Sequence, residues 1–164
     1  MSARIPAPVR AVLREDLEQS SMRPLPVLSL LTVLPTGWPH IAYLGPGELL
    51  DIDDHTLGLA VWDGSNSTQA AVRTGQATLQ TVLDMTPHLL RLRIEDRGEI
   101  VVAGRTLRAL RATVVHAASD AVRYATLTTV NTFEVHDRSE AVRRWRATRE
   151  QLEHALGAHP DATP

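Results

Sequence analysis

The stretch Leu57-Gly58-Leu59-Ala60-Val61-Trp62-Asp63-Gly64-Ser65-Asn66-Ser67-Thr68 decides how this chain is read. Thr56 to Trp62 is a short apolar run of strand length, the pattern of a buried strand. Gly64 marks a tight turn, Ser65-Asn66-Ser67-Thr68 supplies helix-capping residues, Gln69 to Thr74 favours a short helix, and Gly75 fits its stop. A strand running through a turn into a helix N-terminus aims free backbone N–H groups and the helix dipole at one spot. Ser65, Ser67 and Thr68 add hydroxyl donors there. The residues alone allow two readings, a phosphate site or an ordinary helix cap.

Upstream, Val27 to Leu34 and His40 to Leu44 are apolar runs around the turn cluster Pro35-Thr36-Gly37-Trp38-Pro39, so they predict a hairpin. Gly45-Pro46-Gly47 reads as a bulge or kink, with the strand continuing from Glu48 to Ile52. Asp53-Asp54-His55 is the next turn. Asp51 to His55 also offers oxygen and imidazole ligands, but it lacks the glycine and spacing of a calcium loop.

Downstream, Gln76 to Asp84, the alternating Leu90 to Glu95, Leu107 to His116, and Tyr124 to Val135 predict strands. Helices are predicted near 8–19, after Pro6 and Pro8, and over about 138–156, where Asp137 and Glu140 make a capping pair. Residues 158–164 read as a flexible tail. Six or seven strands with helices mostly at the ends make the chain mainly β, and hairpin connections favour a closed or split barrel. Helices do not alternate with strands and G-x-G-x-x-G is absent, which excludes a Rossmann domain.

At 164 residues the chain is read as one domain, 1–164. It contains no cysteine, so disulfides, thiolate metal sites and thiol nucleophiles are excluded. All 17 basic residues are arginine, which excludes lysine Schiff-base chemistry. A net charge of −2 with 4% aromatics argues against nucleic acid as a partner. No signal peptide and no apolar run long enough to span a membrane is visible, so a cytoplasmic protein without a membrane partner is expected. The 7 histidines are dispersed without zinc spacing, and G-x-S-x-G is missing, so neither a metal site nor a hydrolase elbow is predicted. Trp145 reads as core, and Arg143, Arg144, Arg146 and Arg149 as a solvated helix face.

A larger pattern joins these pieces: Leu31-Thr32-Val33, Gly37-Trp38-Pro39-His40, Ala60-Val61-Trp62, Gly64-Ser65-Asn66-Ser67-Thr68, Gly75-Gln76-Ala77-Thr78-Leu79, Phe133-Glu134-Val135 and Trp145-Arg146-Ala147-Thr148-Arg149. In order and spacing, over about residues 27–156, it resembles the pyridoxamine 5′-phosphate oxidase-like flavoproteins. The resemblance implies an FMN-binding split β-barrel, a homodimer with two flavins at the interface, and oxidoreductase chemistry on a small-molecule substrate. It places Leu59 to Trp62, notably Ala60, Val61 and Trp62, along the isoalloxazine ring through backbone groups. Ser65, Ser67 and Thr68, with Asn66 beside them, would hold the phosphate, and His40 would face it. The chain departs from the pattern inside the phosphate turn, where relatives commonly carry Arg or Lys and this turn is neutral. Alternatives within the fold are a deazaflavin or haem cofactor, or a non-catalytic flavin- or ligand-binding dimer.

Overall fold

The predicted strand Thr56–Trp62 forms with those bounds, and both its faces are buried, which is why it reads as an unbroken apolar run. A computed structural model describes residues 2–158; the end of the predicted tail, 159–164, lies outside them. The helices are α1 (Ala7–Arg14), α2 (Leu17–Ser20), α3 (Asn66–Thr74) and α4 (Arg138–Leu156). The strands are β1 (Leu25–Pro26), β2 (Leu28–Val33), β3 (Pro39–Leu44), β4 (Leu49–Asp53), β5 (Thr56–Trp62), β6 (Gln76–Leu83), β7 (Thr86–Val102), β8 (Arg105–Ser119) and β9 (Thr132–Phe133).

Seven strands form one antiparallel sheet in the order β3-β2-β6-β7-β8-β5-β4, and β1 pairs with β9 separately. The connection between the two edge strands forces this sheet to curl. From Leu44, the end of β3, to Leu49, the start of β4, is five residue steps, a reach of roughly 18 Å. A flat sheet of seven strands would hold its edges roughly 29 Å apart. The sheet therefore wraps into an incomplete barrel.

Leu57, Leu59 and Val61 of β5 enter the barrel core with Leu30, Leu79 and Leu110. Ala60, on the opposite face, joins a second core under α4 with Ile100, Ala109 and Leu152. On the outside, α1 is fastened to β4: Arg10 and Arg14 both bond Asp51, whose side chain is buried.

Four expectations are corrected. The single helix over 8–19 is two helices, because Glu15 and Asp16 adopt extended backbone and Asp16 caps α2 through bonds from the Glu18 and Gln19 amides. Gly45-Pro46-Gly47 is no bulge within a strand; a short 3₁₀ turn over Pro46–Glu48 ends β3 and carries the chain to the opposite sheet edge. Tyr124 to Val135 is not a strand apart from β9, since β8 already has β7 and β5 on its two sides. The strands read at Leu90–Glu95 and Leu107–His116 extend much further, as β7 and β8. The turns that join β6 to β7 and β7 to β8, Asp84-Met85 and Ala103-Gly104, have positive φ at both positions, the geometry of a tight hairpin.

Candidate functional site

The junction of β5 and α3 is built around one hydroxyl pair. Ser65 caps α3: its Oγ accepts the Thr68 N–H at 3.2 Å and lies 2.9 Å from Thr68 Oγ1. Thr68 Oγ1 in turn donates to the Trp62 carbonyl at 2.6 Å, tying the helix to the strand end. Gly64 makes the turn with φ +76°, a backbone that side chains rarely adopt. Asp63, just before it, accepts from Arg108 Nε at 2.8 Å, and Arg108 also bonds Asp96 and Glu99. The Asp63 hydrogen bond is the main reason the Arg108 pKa is raised.

Ser67 differs from its neighbours. It is 3% exposed, sits in the first turn of α3, and its Oγ has no hydrogen-bond partner among the described residues. The N–H groups of the first helical turn, Asn66 and Ser67 among them, have no intrahelical acceptor by the geometry of a helix start. One orphaned, buried hydroxyl thus sits in the same helical turn as two free amides, with Asn66 exposed beside it. The turn itself carries no cation. Arg73, at the far end of α3, gives its Nη2 to the Val33 carbonyl at 2.7 Å.

The remaining sequence candidates divide. Ala60 and Val61 are buried at 2% and 4% exposure, whereas Trp62 is 53% exposed with the Arg105 guanidinium 5.5 Å above its ring. Trp62 is therefore the part of β5 that a flat ring can reach from solvent. His40 is half-buried on β3 opposite Thr32, whose buried Oγ1 is also unpartnered. The strands β2 and β3 pack against α3, but His40 makes no hydrogen bond to the turn among the described residues.

Sequence reading missed a second group. Glu48 lines a cleft together with Arg144 and Trp145. Its Oε2 accepts the Gly45 N–H at 2.6 Å, yet burial raises its pKa, outweighing that bond and the nearby Arg144. Trp145 is core, as expected from its helical stripe. The arginines of α4 are not one solvated face: Arg149 is half-buried and donates to the Pro46 carbonyl at 3.1 Å, and burial lowers its pKa.

A raised carboxyl pKa has a definite sign in stability. Glu48 binds its proton more tightly folded than unfolded, so its contribution is fully present below about pH 4.5 and is lost as pH rises through the raised value. Glu48→Gln should remove this dependence. In urea melts at a series of pH values, the difference between variant and parent should move in the variant's favour as pH rises from acid to neutral. A pH-independent difference would show that Glu48 does not titrate in this way.

No protein-family model matches the chain. The uncharacterized protein YclD of Bacillus subtilis (strain 168) is 25% identical over 123 residues, covering 75% of this chain and 80% of that protein. Among solved structures, a putative pyridoxamine 5′-phosphate oxidase from Lactobacillus delbrueckii aligns with a TM-score of 0.52 at 11% identity, covering 70% of this chain and 93% of that one. HupZ of Group A Streptococcus aligns with a TM-score of 0.50 at 14% identity, covering 63% and 88%. At such identities the likeness shows the fold, and the fold is the split β-barrel expected from the resemblance. No helix among the described residues is long and apolar enough to cross a membrane.

Proposed function

We propose that the chain is an FMN-dependent oxidoreductase that works as a homodimer, holding the FMN phosphate at the first turn of α3 and the ring against Trp62. The observation that carries this reading is the buried, unpartnered Ser67 Oγ beside the free amides of that turn. A buried hydroxyl left unpaired costs roughly 1–3 kcal/mol, and a phosphate oxygen would answer it. In this reading Ser67 donates to the phosphate, with the Asn66 and Ser67 N–H groups. The hydroxyls of Ser65 and Thr68 keep the turn in shape, since each is already engaged. Arg108 neutralises Asp63, which would otherwise repel an anion one turn away.

FMN, when bound, supplies hydride or electron transfer at its ring, so the chain need only bind, orient and exclude. Trp62 offers a flat apolar face for that purpose, and Arg105 covers part of it. The substrate in this reading is a small molecule. The neutral turn supports a second reading, a flavin-binding dimer without turnover; reduction of the bound flavin by NADH or NADPH, followed by reoxidation by an acceptor, separates the two.

Titration of the purified protein with FMN and with riboflavin, followed by flavin fluorescence, tests the assignment. FMN should bind at least about tenfold more tightly, the worth of roughly one charge-assisted hydrogen bond. Ser67→Ala should lose about that factor for FMN alone while the protein stays as stable as the parent. Ser65→Ala should instead lower stability by about 1 kcal/mol through loss of the cap. Equal affinity for the two flavins, or no effect of Ser67→Ala, would place the phosphate elsewhere.

A further inference from the structure

A cleft of about 720 Å³ opens between the β3–β4 connection, residues 131–137 and the first turns of α4. That volume lies in the range of small-molecule sites. Glu48 and Trp145 line the cleft, together with the aromatic residues Tyr43 and Phe133. Its ionisable side chains are mainly acidic: Glu48, Glu134, Asp137 and Glu140, against the one guanidinium of Arg144 and the imidazole of His136. Such a lining repels a phosphate dianion, so this cleft is unsuited to the group placed at α3.

Glu48 is the informative member. One of its oxygens, Oε2, is spoken for by the Gly45 N–H. The other, Oε1, makes no hydrogen bond among the described residues. Arg144 is near enough to stabilise the charge on Glu48, yet no ion pair within 4.0 Å joins them among the described residues. A half-buried carboxyl whose chain neighbours leave one oxygen free, set among aromatic faces, matches an ammonium carried on an apolar body. The ammonium gains a charge-assisted bond from the carboxyl, and the apolar body gains contact with the rings. Arg144 opposes a second positive charge on the same ligand.

We propose that this cleft is a binding site for a small organic monocation, a primary amine on an apolar body, with Glu48 as its anchoring carboxylate. The proposal uses none of the α3 residues that would hold a phosphate, although Glu48, Arg144 and Trp145 also line a smaller pocket with Trp62 and Arg105.

Benzylamine, benzyl alcohol and benzoate share a ring and differ in charge, which makes them suitable probes. Titrated into the intact protein by calorimetry, benzylamine should bind saturably and about tenfold or more tightly than either of the others. Glu48→Gln keeps the size and the acceptor for Gly45, and it should reduce benzylamine affinity about tenfold. Glu134→Gln, at the exposed rim, should change it by no more than about threefold, as expected of a solvated charge. Benzoate or benzyl alcohol binding as well as benzylamine would overturn the proposal. So would full benzylamine affinity in a folded Glu48→Gln protein, or the absence of saturable benzylamine binding. A loss of FMN affinity in Ser67→Ala with benzylamine binding intact would show the two sites to be separate.

Discussion

Gly47→Ala should destabilise the protein by about 3 kcal/mol, the upper range for overpacking a well-filled core. A Cβ on Gly47 would fall within the indole ring of Trp145, meeting its Cγ, Cδ1 and Cδ2 atoms. The ring cannot retreat easily, because Trp145 is buried with Leu17, Leu25 and Val142 in the core that fixes the start of α4. The backbone of the Pro46–Glu48 turn is equally constrained, since it must join the two sheet edges in five steps. Trp145→Ala should cost about 3–5 kcal/mol on its own, as large-to-small changes at buried aromatics do. The double variant is the sharper result. Removing the indole makes room for the new methyl, so the Gly47→Ala penalty should largely vanish in the Trp145→Ala background. Urea unfolding of the four proteins measures this; additive penalties would show that the two residues do not press on each other.

That contact also shows what was legible in the sequence. The strand Thr56–Trp62 and the helix ending at Gly75 were readable because their signals are local: an apolar run, capping residues, a glycine stop. The role of Gly45-Pro46-Gly47 was not, because a bulge and a strand-ending turn use the same residues. Only the seven-strand order, with β3 and β4 at opposite edges, distinguishes them. Likewise β7 and β8 run beyond their alternating segments since Asp84-Met85 and Ala103 take positive φ without an Asn-Gly or Gly-Gly signal. At the site, the sequence picked out Ser65, Ser67 and Thr68 as one hydroxyl group of equals. Folding splits them: two bond to each other, and one is buried without a partner. No spacing rule foretells that split, for it depends on which way each hydroxyl turns once Trp62 offers its carbonyl. Glu48 was invisible for a related reason. Its environment is assembled from the β3–β4 turn and from α4, about a hundred residues apart in sequence.

Asn66→Arg should tighten FMN binding by about tenfold to a hundredfold, the worth of one charge-assisted hydrogen bond. Asn66 is the first residue of α3 and is exposed, so a guanidinium placed there stays solvated and lies beside the two free amides. Ser67 is a poorer position for the same charge, because it is buried and a long side chain would have to break the helix packing to leave. The substitution carries a cost in the protein without ligand. A cation at a helix N-terminus opposes the dipole, typically by about 0.3–1 kcal/mol, and the unloaded protein should become less stable by that order. Asp63 offsets little of this, since Arg108 already holds its carboxylate. The gain should be specific to the phosphate: riboflavin affinity should stay at the parental level, and the advantage for FMN should shrink as salt rises and screens the new charge. Each readout constrains the site differently. Tightening of FMN alone places the phosphate at the first turn of α3, where the neutral residues of this chain leave it without a cation. Equal tightening of both flavins would mean that the arginine touches the ring, and no change in either would move the phosphate away from α3 altogether.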